Sequence, residues 1–186
     1  MRLSQRLLTV LLACFLPIFA AFARSQEADS PAAAVFPAVT SYALDKSRVD
    51  LPTGLAGQYN ILLLSFEQEQ QNQVSSWMPA AEAAQHTHFN VRYYQLPVFP
   101  RENVLYRWWE NSSMRSDVTD PEMWPWIVPL YVEQQPFLRA LGIENRKEAV
   151  VLLVDKSGRV LWKSSGLLTE EKRSQLEKAV AGVTGH

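Results

Sequence analysis

Tyr59-Asn60-Ile61-Leu62-Leu63-Leu64-Ser65-Phe66 is the stretch on which the fold turns. Its four consecutive aliphatic side chains leave no polar face, and Gly57 before it and Glu67 after it bound it at strand length. An apolar run of this length without alternation suits a strand buried on both faces of a sheet. Downstream the period changes: Val74, Trp77, Met78 and Ala81 recur at helical spacing, with Ala-rich sequence to Gln85. Residues 89–96 return to strand character through Val91, Tyr93 and Tyr94.

Working outward toward the N-terminus, residues 39–44 alternate and are followed by Asp45-Lys46-Ser47 and then residues 48–51, a small hairpin ahead of the main sheet. In the other direction, residues 101–111 read as a helix, followed by the irregular acidic stretch Asp117-Val118-Thr119-Asp120-Pro121. Residues 126–132 read as a third strand and residues 136–141 as a short helix ending at Gly142. Residues 150–154 and 159–162 flank Asp155-Lys156-Ser157-Gly158, a hairpin with turn chemistry in the right place. A last helix opens after Thr169, with Glu170 and Glu171 where the helix dipole favours acids, and runs to about Ala181. The order is that of an α/β protein with a mostly parallel central sheet and a C-terminal antiparallel hairpin. No internal repeat and no second domain is visible.

The chain has 186 residues, 47% of them hydrophobic and 20% charged, the profile of one soluble domain. Residues 1–23 differ from the rest. Arg2 and Arg6 make a basic start, residues 7–23 carry no charge, and Ala21-Phe22-Ala23 supplies the small-x-small pattern of a signal-peptidase site. The expectation is a cleaved signal peptide and a periplasmic or secreted protein. A retained membrane anchor is the alternative, but the uncharged stretch is short for a span and Pro17 interrupts it. Leu11-Leu12-Ala13-Cys14 has the form of a lipoprotein box, yet the apolar run continues through Phe15, Leu16, Ile18 and Phe19. Cleavage would leave a mature chain of 163 residues beginning near Arg24 and containing no cysteine. Residues 24–35, rich in Ala, Ser, Pro and acid, read as a disordered leader. The domain would then be residues 36–186, with an aromatic-rich insertion at about 101–125.

Losing Arg2 and Arg6 takes the net charge from −1 to −3. Arg146-Lys147 and Lys172-Arg173 are isolated basic pairs, so nothing points to nucleic acid or, after cleavage, to a membrane surface.

Phe36-Pro37 with the Asp45-Lys46 hairpin, Leu55-Ala56-Gly57-Gln58 before the first core strand, and Val154-Asp155 with Ser157-Gly158 together resemble the redoxins. That resemblance covers residues 36–183 and implies a thioredoxin-like three-layer sandwich. Leu141-Gly142-Ile143, Asn145, Leu152-Leu153-Val154-Asp155, Gly158-Arg159-Val160 and Trp162 resemble more narrowly the mitochondrial ATP-synthase assembly chaperones of the tenth ATP-gene family, as does Ser76-Trp77.

The departures matter more than the matches. Redoxins carry a CxxC shortly after the Phe that ends the first core strand, and that register here falls on Gln71-Asn72-Gln73-Val74. Gln71 stands where the attacking thiol would be and Val74 where the resolving one would be. An amide forms no thiolate, so disulfide exchange and peroxide reduction are not available. The cis-proline of the redoxins corresponds in register to Ala149.

Other chemistry is sparse. His86 and His88 lie two apart with Met78 upstream, but no third ligand accompanies them, and a solvated helix-to-strand connection is the expectation. Asp117, Asp120 and Glu122 lack the glycine and the downstream Glu of an EF-hand. No G-x-S-x-G elbow or phosphate loop occurs. Glu67 and Glu69 read as the polar rim of a loop. Asn111-Ser112-Ser113 is a glycosylation sequon in form. Trp108, Trp109, Trp124 and Trp126 cluster with Met114 and Arg115. They either pack an insertion onto the sheet or form a partner surface, since Trp and Arg are enriched in interface hot spots.

The leading expectation is therefore an exported, non-catalytic binding or assembly protein with no cofactor, no metal and no catalytic residue, whose partner is a protein or small ligand. Trp108, Trp109, Met114, Arg115 and Trp124 are its candidate contact residues, and Gln71, Val74 and Ala149 mark its vestigial site. Rival readings are a hydrolase or metal-handling enzyme that reused the scaffold, and a mitochondrial assembly chaperone in which residues 1–23 serve as a transit segment.

Overall fold

The computed structural model describes residues 34–101 and 118–185. By its internal contacts the chain divides into Met1–Ser30 and Pro31–His186, and all described residues belong to the second unit. The anticipated signal segment, with Cys14, and most of the leader lie outside the described residues.

Two short strands, β1 (Val39–Tyr42) and β2 (Arg48–Leu51), pair antiparallel as the hairpin read from the sequence. The main sheet has five strands: β3 (Tyr59–Ser65), β4 (Val91–Pro100), β5 (Leu130–Val132), β6 (Val150–Asp155) and β7 (Val160–Ser165). Their order is β5-β4-β3-β6-β7. The β4 ladders to β3 and β5 are parallel, whereas the β6 ladders to β3 and β7 are antiparallel. Four strands thus share one direction, and β6, the first arm of the C-terminal hairpin, runs against them.

Both faces of the central strands are buried because both are covered. Leu62, Leu64, Leu152 and Val154 point to one face, where they meet Phe36, Tyr94, Leu96 and helix α2 (Gln134–Ala140) through Phe137 and Leu138. Ile61, Leu63, Val151 and Leu153 point to the other, against α1 (Gln71–Thr87) through Val74, Trp77 and Ala81 and against α3 (Glu170–Thr184) through Leu176 and Val180. Helix, sheet and helices make the expected three layers. Each fully buried aliphatic side chain contributes about 1.5–3 kcal/mol, so these two cores dominate the favourable side of folding.

Beyond shifts of strand ends, such as β4 reaching Pro100 and β7 reaching Ser165, three differences from the sequence reading have a local cause. Residues 126–132 do not form one strand: Pro121–Trp126 is a 3-10 turn, Ile127 makes an isolated parallel bridge to Gln95, and the strand begins at Leu130. Pro121 and Pro125 remove two backbone donors, and the Asp120 carboxylate accepts from the Glu122 N–H at 3.0 Å, which favours the tight turn. Phe89 precedes the second core strand and is 90% exposed, since β4 starts at Val91. Ala34 and Val35 are not part of a disordered leader. The Val160 N–H donates to the Ala34 carbonyl at 2.8 Å, and Val35 forms an antiparallel bridge with Arg159.

Candidate functional site

Register determines what meets at the end of the sheet. Leu64 lies opposite Val150, and Val150 opposite Ser165. The residues after β3, those before β6 and those after β7 therefore emerge together. This is the corner where the sequence places the lost thiol pair.

A 3-10 turn at Gln68–Gln70 leads directly into α1. Gln71 opens the helix and is exposed, while Val74, one turn on, is 3% exposed and packs into the core. Ala149 is buried immediately before β6. The peptide bonds through Lys147–Val150 are trans; the cis bond among the described residues is Leu51–Pro52.

The corner is knit by side chains that the sequence reading did not single out. Gln70, 4% exposed, accepts from the Phe66 N–H through Oε1 at 2.8 Å and donates through Nε2 to the Arg146 carbonyl at 2.6 Å. Gln73 Oε1 accepts from the Ala149 N–H at 2.8 Å. Ser76 Oγ accepts from the Leu168 N–H at 3.0 Å, and Trp77 Nε1 donates to the Gly166 carbonyl at 2.7 Å. Residues 70, 73, 76 and 77 share one face at helical spacing, so a single ridge fastens α1 to the segments before β6 and after β7. The one available signal was the amide-rich run Gln68-Glu69-Gln70-Gln71-Asn72-Gln73 at a helix start.

Charge surrounds this ridge without entering it. Arg146 pairs with Glu67 at 3.7 Å and donates to Gln134 Oε1 at 2.5 Å, and Ser165 Oγ donates to the Glu148 carboxylate at 2.8 Å. Glu67 and Glu69 are exposed, as a loop rim should be. Carboxamides, a hydroxyl and an indole can hold backbone, and here each is bonded to a main-chain group.

The remaining candidates are dispersed. Trp124 is half-buried, with its Nε1 donating to the Val118 carbonyl at 3.1 Å. Trp126 packs edge-on against Tyr94 at 5.5 Å. Trp108, Trp109, Met114 and Arg115, the anticipated helix of the insertion, Asp117 and the sequon lie outside the described residues. His86 is exposed in the last turn of α1, and His88 Nδ1 is 3.0 Å from Thr184 Oγ1, which ties α1 to the end of α3. Among the described residues no three His, Cys, Asp or Glu side chains converge as metal ligands would. On the other face an open apolar groove of about 560 Å³ runs between Val39, Tyr131, Pro136 and Phe137, with Arg101 at its rim. Arg101 lies 3.8 Å from Glu133.

The family model described as "ATP10 protein" matches residues 19–183. No curated protein matches the sequence. Similar solved structures include a putative electron transfer protein from Aquifex aeolicus VF5 (12% identical, TM-score 0.57, covering 83% of this chain and 99% of that one). A thiol:disulfide interchange protein from Bacteroides sp. is 19% identical, with a TM-score of 0.51 over 83% of this chain and 93% of that one. BsSco, a member of the Sco family of cytochrome c oxidase assembly proteins, is 14% identical, with a TM-score of 0.52 over 81% of this chain and 96% of that one. At these identities the likenesses show the thioredoxin-like fold alone.

Proposed function

The chain belongs to the ATP10 protein family, and from that premise we propose that it is an exported, redox-inactive assembly factor that acts by binding rather than by catalysis. The observation that carries this reading is the content of the thiol corner. By sequence register Gln71 and Val74 fall where redoxins keep their cysteines, and the helix face beside them is committed to backbone hydrogen bonds. A corner without a thiolate cannot form a mixed disulfide, which is the chemistry the scaffold otherwise supports. Family membership supports assembly as the role, and the uncharged run before Ala21-Phe22-Ala23 supports export. Trp124, with Trp108, Trp109, Met114 and Arg115, is the proposed partner surface.

The family match also favours a second reading of the address, a mitochondrial assembly chaperone with residues 1–23 as a transit segment. Determining the mature N-terminus and the compartment in the native host separates the two. The catalytic claim is tested by insulin reduction, disulfide isomerisation and thiol-peroxidase assays on the purified protein. The expected rate equals that of a Gln71→Ala control, and turnover above that control in any assay overturns the reading.

A further inference from the structure

Gln70 and Gln73 hold the same segment by unlike means. Gln70 is buried and uses both ends of its carboxamide, one on Phe66 and one on Arg146. Withdrawing it would strand the Phe66 N–H and the amide itself away from water and leave the Arg146 carbonyl without this donor, a costly case for hydrogen bonds. Gln73 is half-buried and uses only its oxygen, on the Ala149 N–H. Rotated outward, its carboxamide reaches solvent and one buried N–H, that of Ala149, loses its partner, against two bonds and a buried amide at Gln70. We propose that these two residues form a latch with a fixed and a releasable member: Gln70 braces the segment before β6, and Gln73 is the catch that opens first and frees the Ala149 amide.

The placement makes the catch consequential. Ala149 is the residue before β6, and β6 lies between β3 and β7 inside the sheet. Its N–H is the last donor of the incoming segment before the ladder takes over. The Ala149 carbonyl still accepts from the Gly166 N–H at 2.9 Å, so opening at Gln73 frees the amide at the entrance to a central strand and leaves β6 in register. The geometry keeps the two releases separate: the Ala149 amide opens when Gln73 lets go, and the Phe66 amide when Gln70 does. The latch depends on these hydrogen bonds and stands or falls separately from the reading of Gln71 and Val74 as a dead thiol site.

Residue-resolved amide exchange of the full chain by NMR tests it, with the Leu63 amide in β3 as the control for global opening. Gln73→Ala should speed exchange at Ala149 roughly ten-fold, the scale set by one lost hydrogen bond, with Phe66 and Leu63 unchanged. Gln73→Glu keeps an acceptor at the same place and should hold Ala149 within about two-fold of wild type. Gln70→Ala should speed Phe66, with Ala149 still held by Gln73. The latch is overturned if Gln73→Ala leaves Ala149 unchanged, if it moves Phe66 equally, or if Gln73→Glu releases Ala149 as fully as Ala does. Gln73 is only partly buried and Gln73→Glu preserves its bond, so these two variants carry the test even where Gln70→Ala fails to fold.

Discussion

Asp155 shows how much one side chain can organise. Its carboxylate accepts from the Ser157 N–H at 2.9 Å, the Ser157 hydroxyl at 2.6 Å and the Arg159 N–H at 3.0 Å, and closes the β6–β7 turn. Burial pushes its pKa up, but the bonds from Ser157 and the Arg159 amide, with the Arg159 charge beside it, outweigh this and hold it below the ordinary carboxylate value. A depressed folded-state pKa gives stability that is present above the unfolded value of about 4 and is lost as pH falls through the folded one. Asp155→Asn should therefore cost roughly 2 kcal/mol at neutral pH, the scale of hydrogen bonds to a charged group. The gap to wild type should narrow below about pH 4. Urea midpoints at neutral and acid pH check both statements; a gap that stays constant would show that the charge is not what matters. The residue scale is also where sequence reading stopped short. Asp155-Lys156-Ser157-Gly158 announces a turn because its chemistry is local. Gln70 and Gln73 bond to residues 76 positions away, and no local pattern announces that.

At the scale of elements, legibility followed burial. Ile61–Leu64 of β3 and Val150–Val154 of β6 are apolar because helices cover both faces, and α1 shows its period through Val74, Trp77 and Ala81. Residues 126–132 failed as a single strand because the turn set by Pro121, Pro125 and the Asp120 cap takes in Trp126, and Pro129 has no N–H to give a ladder, which together outweigh the aromatic and aliphatic content that suggested one. Glycines give a sharp test of the same logic. Gly158 has φ of +86°, and a Cβ there would lie 2.7 Å from Pro52 Cγ and 3.0 Å from the Phe36 carbonyl oxygen. Gly182 lies in α3 with nothing within 4 Å of an added Cβ. One substitution should thus have opposite signs at the two sites. Gly158→Ala should destabilise by about 1–3 kcal/mol through left-handed strain and the contact with Pro52. Gly182→Ala should stabilise by up to about 1 kcal/mol through helix propensity. Thermal or urea denaturation of the pair reads this directly, and a loss at Gly182 matching that at Gly158 would refute the packing argument.

Across the whole unit, the beginning of the described chain secures the C-terminal hairpin. Residues 34–36 lie along the start of β7: the Phe36 N–H donates to the Gly158 carbonyl at 2.7 Å and the Val160 N–H to the Ala34 carbonyl at 2.8 Å. Phe36 is 1% exposed and meets Phe137 of α2 edge-on at 5.5 Å. This short segment therefore links the outer strand of the sheet to the helix on one of its faces. From the sequence, Phe36-Pro37 marked the start of the domain, but the two residues before it carried no apolar signal strong enough to separate them from the Ala-Ser-Pro leader. Their role is made by backbone groups, to which composition is blind. Truncation distinguishes the segment as a structural strap from a dispensable tail. A chain beginning at Ala34 should keep the fold, whereas one beginning at Ala38 loses Phe36 and both bonds to the hairpin. Removing a buried Phe costs about 3–5 kcal/mol, a large share of the stability of a domain this size. The Ala38 chain should unfold at a much lower urea concentration than the Ala34 chain, or fail to fold. Phe36→Ala in the Ala34 chain should reproduce most of the loss, because the backbone bonds survive that change and the ring does not. Equal midpoints for the two truncations would show that the core on this face closes without Phe36.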